Sequence, residues 1–465
     1  MDQLPRRLGL LDATLIVVGV VIGSGIFLLP SLIARNVASP AVIMAIWAAT
    51  GVVSLLGAFA YAELGAMMPA TGGQYVFLRE AYGPACAFLS GWVFVFAAVP
   101  GAIAFLARGF SIYLGQFVAL SPAGGNLVSI GLIVVLSGIN YAGVREGAWT
   151  QRIFGSLKIA GLALLIGAAI FLAPARQAAG PQPVSGYGGI GIAVAACLMA
   201  YNGWSFVSFV AGEIVEPERN IPRALTIGMF IVMALYLGAN LAYMRVLTVS
   251  EIAATARVGA AVMERITGAV GARLLSALVL CSIVGAINGN IMTGPRIPFA
   301  QARDGLFFER FGRIHPRFKT PSFAIAVQGA WSLVLLLSGS FEALSSYTIL
   351  SAWLFYAMTV AAVAVLRRRR PDAPRPYRMW GYPATLWIFL AASAWYIEDT
   401  ITGDPGPALA ALLITGAGVP FYLIWTRRIN VQALRDRSQF PDPAPLESAA
   451  SRPHPDAIHP PQARR

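Results

Sequence analysis

Apolar residues in this chain do not mark one face of a helix or alternate along a strand; they run on continuously between short polar connections. The first run, Leu15-Ile16-Val17-Val18-Gly19-Val20-Val21-Ile22-Gly23-Ser24-Gly25-Ile26-Phe27-Leu28-Leu29-Pro30, is representative. About 20 such residues suffice for a helix to cross the hydrocarbon core of a bilayer. Twelve stretches qualify, at 11–35, 41–68, 84–118, 125–144, 153–173, 188–212, 224–247, 271–300, 322–338, 342–366, 381–400 and 407–426. The pattern predicts an all-α polytopic membrane protein with twelve transmembrane helices. Residues 68–80 form a short amphipathic segment before the third stretch. Residues 249–268 place Glu251, Arg257, Glu264 and Arg265 among apolar positions at helical spacing, which predicts a helical connection over the bundle, suited to a lid. Beyond residue 438 the chain turns to Pro, Ser and charge, which predicts disorder.

Two places interrupt the apolar pattern at membrane depth. Gly23-Ser24-Gly25 sits in the middle of the first stretch. In hydrocarbon every backbone N–H and C=O needs a partner, so a helix is broken there only where protein or a cavity covers the break. Amides freed at the start of a second half-helix carry partial positive charge and suit a carboxylate. Taken alone, the triplet fits close helix packing as well as it fits a binding site. The sixth stretch is interrupted in the same way, at Asn202-Gly203 within Met199-Ala200-Tyr201-Asn202-Gly203-Trp204. Gly203 follows Gly23 by 180 positions, or five stretches. Interrupted helices at matching positions of two five-helix units point to an inverted-repeat transporter, with its binding site between the breaks. The expected organisation is an N-terminal segment 1–10, a first five-helix unit 11–175, a second, inverted unit 188–366, two further helices within 381–426, and a tail 427–465.

Composition supports the class and limits the chemistry. Of 465 residues 57% are hydrophobic and 12% charged, where soluble domains carry roughly 25% charged residues. The net charge of +13 is distributed by topology. With the N-terminus inside, 26 of the 34 Lys and Arg fall on the inner side and 6 on the outer side, with Arg108 and Lys158 inside stretches. That asymmetry follows the positive-inside rule with both termini cytoplasmic, and makes anionic lipid headgroups the partner of the basic excess rather than nucleic acid. Cys86, Cys197 and Cys281 are far apart and none lies in an outer connection, so neither a disulfide framework nor a metal site is expected. There is no phosphate-binding Gly loop and no catalytic cluster; no cofactor is expected.

Single residues carry less. Lys158, in Gly155-Ser156-Leu157-Lys158-Ile159-Ala160, either snorkels to the inner interface or faces the bundle near the first break. Arg108 is expected at the outer interface or on a helix partner. Glu63 and Glu213 are expected to pair with inner arginines. Pro100-Gly101 predicts a kink beside the cavity, and Trp204 fits core packing and a cavity wall equally.

These motifs together resemble the amino acid–polyamine–organocation superfamily. Gly19-Val20-Val21-Ile22-Gly23-Ser24-Gly25-Ile26-Phe27 is similar to its first-helix signature. Residues 212–224, from Gly212-Glu213 to Arg223-Ala224, resemble its segment after the sixth helix. Arg303-Asp304-Gly305-Leu306, His315-Pro316 and Thr320-Pro321 resemble its segment after the eighth. Arg375-Pro376-Tyr377-Arg378, Gly381-Tyr382-Pro383 and Lys158 resemble the L-type amino acid transporters within it. The resemblance implies a LeuT-like fold of five plus five inverted helices, with discontinuous helices 1 and 6. It implies an α-amino acid whose carboxylate sits on the amides of Gly23, Ser24 and Gly25. The ammonium group would meet carbonyls near Val21, Met199 and Asn202, with Trp204 nearby. The lysine matching Lys158 implies sodium independence, holding carbonyls where related transporters bind sodium. The expected activity is sodium-independent exchange of neutral L-amino acids in a bacterial inner membrane. Proton-coupled uptake of amino acids or polyamines is the alternative, and a non-transporting sensor is a more remote one. Met199 stands where animal members carry an aromatic gate, and Asn202 replaces a small residue and favours small polar substrates. The connection around Ser121-Pro122-Ala123 lacks the cysteine that tethers animal members to a glycoprotein, so no disulfide-linked heavy subunit is expected.

Overall fold

The computed structural model describes residues 4–173, 189–255, 257–338, 341–403 and 405–426. The tail 427–465, expected to be disordered, lies outside the described residues, as does the link 174–188. Each of the twelve apolar stretches is helical. The first is two helices, α1 (Leu10–Val21) and α2 (Gly25–Asn36), followed by α3 (Pro40–Met67) and the short α4 (Gln74–Tyr82). The third comprises α5 (Pro84–Val93), a π-helical turn at Phe94–Ala98, and α6 (Val99–Leu114). Then come α7 (Pro122–Ala142), α8 (Val144–Phe171), α9 (Ile190–Ala200) with a 3-10 helix at Trp204–Glu213, and α10 (Pro217–Val246). The chain continues through α11 (Val249–Ala254), α12 (Val258–Thr293), α13 (Arg296–Arg303), α14 (Ser322–Leu337), α15 (Phe341–Arg369), α16 (Ala384–Gly403) and α17 (Pro405–Thr426). Among the described residues nine helical segments are long and apolar enough to cross a membrane; α14, α15 and α16 fall outside that set.

One boundary differs from the sequence-based expectation. The fifth helix begins at Val144 rather than near residue 153, so Arg152 rides on it and reaches Asp12 at the start of α1, 2.5 Å away. α12 is broken by a kink at Gly268, whose φ of 71° only a glycine adopts without strain; its part before the kink belongs to the connection 249–268, and the eighth membrane helix follows it, near the expected residue 271. The connection after α10 is therefore helical, as expected. Its α11 is closed by a capping box, with Thr248 N–H donating to Glu251 2.6 Å away. That amide, with Arg265 adding to it, holds the Glu251 carboxyl below the usual carboxylate range.

The packing brings the broken helices to the centre. α1 lies against α8, α10 and α12; α3 packs along α10, and α6 along α12. Because lipid tails are as apolar as the helix surfaces, such packing rests on close fit and buried polar ties rather than on expulsion of water. The arginine-rich end is closed by ion pairs. Glu213 and Arg296, both buried, form a two-bond pair at 2.7 and 3.0 Å. Glu63 accepts from Arg367 at 2.9 and 2.6 Å and from the Met379 amide at 2.6 Å. Asp304 accepts from Arg79 and from the Tyr75 hydroxyl. The pairing expected for Glu63 and Glu213 is thus present.

Candidate functional site between two broken helices

In the first break α1 stops because Ile22, with ψ of 89°, leaves helical space, and Gly23 turns back to donate to the Val21 carbonyl at 3.0 Å. The chain re-enters a helix at Ser24. Only from Phe27 and Leu28 onward do amides find a carbonyl, that of Ser24, at 3.0 and 3.1 Å. Among the described residues the amides of Ser24, Gly25 and Ile26 have no backbone acceptor, whereas the Gly23 amide, expected from the sequence to hold a carboxylate with those of Ser24 and Gly25, is spent on the Val21 carbonyl. The three free amides form the exposed positive end of α2's dipole. The Ser24 hydroxyl beside them is buried and unpartnered.

The second break mirrors this arrangement. α9 ends as Tyr201 and Asn202 donate to the Cys197 and Met199 carbonyls, at 3.0 and 3.2 Å. Gly203 then takes φ of 117°. A side chain there would be strained and would also meet Val20, whose Cγ1 lies 2.6 Å from where a Cβ would stand. Glycine at this position lets the two breaks approach each other directly.

Side chains from neighbouring helices take up the carbonyls left at the end of α1. Lys158 on α8, buried, donates from Nζ to Gly19 at 2.8 Å and to Ile22 at 2.5 Å. Of the two orientations open from the sequence, the bundle-facing one is observed. Ser282 on α12 donates toward Ile22 and Gly23 at 3.2 and 3.3 Å. The Tyr236 hydroxyl on α10 lies 2.9 Å from the Val21 carbonyl and 3.0 Å from that of Ala200, so it bridges the ends of both half-helices.

A cavity of about 110 Å³ lies between the breaks. Val21, Gly23, Ser24, Gly25, Met199 and Asn202, all singled out from the sequence, line it. α6 and the π turn contribute Phe94, Ala98, Gly101 and Phe105, while Asn290 comes from α12 and Tyr356 from α15. The π turn is the local distortion expected near Pro100-Gly101. It loosens the backbone, and the Phe96 carbonyl accepts from the Trp331 indole at 2.7 Å. The cavity thus meets both the unpaired amides at the start of α2, suited to an anion, and the C-terminal carbonyl end of α9, suited to a cation.

A family model described as amino acid permease matches residues 8–418. The chain belongs to the amino acid permease family. Relatives of this permease include the serine/threonine exchanger SteT of Bacillus subtilis (strain 168), 32% identical over 90% of this chain and 97% of the relative. The human large neutral amino acids transporter small subunit 2 is 32% identical over 90% of this chain and 80% of its own length. The mouse b(0,+)-type amino acid transporter 1 is 29% identical over 92% and 91% respectively. The permease is a member of the L-type branch of the amino acid–polyamine–organocation superfamily, a family of transporters rather than enzymes.

Two of the residues singled out from the sequence lie off the cavity wall of this permease. Lys158 sits behind the first break, braced on its carbonyls. Trp204 sits behind the second, its ring 5.0 Å from Tyr61 and 5.5 Å from Tyr356. Its position is that of core packing against the cavity's aromatic wall. Arg108 donates to Asn126 at 2.6 Å, bonding α6 to the neighbouring α7. Tyr236, Ser282, Asn290 and Tyr356 were not found from the sequence. Each is an ordinary residue in an apolar run, and only helix packing reveals that it faces a break. Among the described residues no group of His, Cys, Asp or Glu could hold a metal ion.

Proposed function

We propose that this permease exchanges neutral L-amino acids across the bacterial inner membrane by alternating access, independently of sodium. The observation that carries the proposal is the cavity between the breaks, where the free amides at the start of α2 and the carbonyl end of α9 come together. A carboxylate on the amides and an ammonium toward Val21, Met199 and Asn202 would satisfy both half-helix ends at once. Substrate would thereby stabilise the closed state, as ligand-driven closure requires. Sodium independence rests on Lys158, whose ammonium occupies the Gly19 and Ile22 carbonyls where a cation would otherwise be coordinated. Exchange is favoured over proton coupling because, among the described residues, no Asp or Glu lines the cavity. A polyamine would likewise find no carboxylate there.

The reading extends to architecture. The pairs α3–α10 and α6–α12 are the second and seventh, and third and eighth, helices of the chain. Contact between such counterparts is what a two-fold relation of units 11–175 and 188–366 would produce. In this arrangement α14, α15 and α16 complete twelve crossings, an even number that leaves both termini on the cytoplasmic side. The α11 connection over α2 would act as the outer lid; Arg35 on α2 donates to the Ala253 carbonyl at 2.9 Å. With cysteines only at 86, 197 and 281, the chain would act without a disulfide-linked heavy subunit. The test is uptake of a radiolabelled amino acid panel into liposomes bearing the purified protein, with internal substrate, sodium and a pH gradient varied separately. Uptake that needs internal neutral amino acid and ignores sodium supports exchange. Uptake into empty liposomes driven by a pH gradient would favour the proton-coupled alternative.

A further inference from the structure

Most of the cavity wall is apolar or backbone, so the few polar side chains on it set what the substrate side chain must offer. Tyr356 and Asn202 are joined: Ser205 Oγ donates to the Tyr356 hydroxyl at 3.3 Å, and that hydroxyl donates to Asn202 Oδ1 at 2.9 Å. In this arrangement the Asn202 amide oxygen faces the Tyr356 hydroxyl. Its Nδ2 is left without a partner among the described residues. Asn290 is fixed in the opposite sense. Its Nδ2 donates to the Ala286 carbonyl at 2.8 Å, an acceptor that only a nitrogen can face. Its Oδ1 is buried and has no partner, on a residue only 3% exposed. The cavity therefore carries one unspent donor, Asn202 Nδ2 in the second break, and one unspent acceptor, Asn290 Oδ1 on α12. Neither belongs to the amide and carbonyl ends that would hold the substrate's own carboxylate and ammonium.

We propose that Asn290 is a specificity-determining residue, and that with Asn202 it selects small amino acids bearing a hydroxyl. A hydroxyl is both donor and acceptor: its proton goes to Asn290 Oδ1 and its oxygen receives Asn202 Nδ2–H. Once the site closes around substrate, an apolar side chain of the same size leaves both amide groups unpaired, and is rejected for that reason. This proposal rests on the transport reading above and deepens it, by naming the side-chain class that the site takes.

The experiment compares exchange rates for two matched pairs in liposomes, serine against alanine and threonine against valine, the second pair being nearly equal in size. It uses wild type, Asn290→Leu and Asn290→Ala. Within each preparation the ratio cancels differences in the amount of folded protein. Wild type is expected to prefer the hydroxylated member of each pair at least tenfold, and both variants to bring the ratios within about threefold of unity. A wild type that handles both members of each pair alike overturns the proposal without recourse to any variant. Ratios that stay at the wild-type value in Asn290→Leu or Asn290→Ala also overturn it, since the discrimination would then come from elsewhere. A wild type that exchanges alanine and serine equally refutes this inference alone, whereas one that exchanges no amino acid refutes the transport reading beneath it.

Discussion

Removing one hydroxyl, in Tyr236→Phe, tests whether the two breaks act as one site. The hydroxyl carries a single proton and lies 2.9 Å from the Val21 carbonyl and 3.0 Å from that of Ala200. It therefore satisfies one carbonyl at a time while holding both half-helix ends within reach. Phenylalanine keeps the ring and its packing, edge-on to Trp47 at 5.4 Å and beside Tyr201 at 5.0 Å, so no cavity is opened. What is lost is one buried hydrogen bond, and a carbonyl left unpaired in its place costs about 1–3 kcal/mol. If the tie holds the two ends in the binding arrangement, the competent fraction falls by the same free energy, and apparent affinity falls about 5- to 150-fold. The assay is the substrate concentration giving half-maximal exchange in liposomes, alongside the thermal midpoint of the purified protein. A half-saturation value and maximal rate both within twofold of wild type would refute the bridging role.

Other substitutions probe the remaining supports. Gly25→Val should abolish exchange while leaving membrane insertion intact, because a Cβ there already meets the Ala200 Cα at 3.4 Å and Leu29 at 3.3 Å; uptake at the wild-type rate would contradict the site assignment. Lys158→Ala removes the donor to the Gly19 and Ile22 carbonyls and should abolish exchange or alter its sidedness, measured from both faces of the liposome; unchanged kinetics would contradict a coupling role. Glu213→Gln leaves Arg296 a buried cation without its carboxylate, a loss of about 3–5 kcal/mol that should appear as a clear drop in thermal midpoint. Adding Arg296→Met to that variant should recover most of the drop; no recovery would mean that the pair is not the cause.

The breaks themselves were legible in the sequence because glycine and asparagine are conspicuous in apolar runs. Gly23, Ser24, Gly25 and Asn202 were found that way, and Met199 through the family resemblance; all line one cavity. The polar ties around them were not legible. Tyr236, Ser282 and Asn290 lie on helices distant in sequence from the breaks, and which face of an all-apolar helix turns inward depends on packing that periodicity does not encode. Lys158 marks the boundary between the two cases: its presence at membrane depth signalled a role, but its partner could be chosen only once α8 was seen against α1. The helical start at Val144 escaped for a related reason, since its first turns carry charge that apolar patterning reads as connection.

The central claim is that an α-amino acid lies between the two breaks, carboxylate toward α2 and ammonium toward the end of α9. An experimentally determined structure with bound serine or alanine tests this directly. The account predicts the carboxylate oxygens about 3 Å from the amides of Ser24, Gly25 and Ile26, with the ammonium on the side of Val21 and Asn202. Substrate held elsewhere in the bundle, or turned end for end in this cavity, would contradict it.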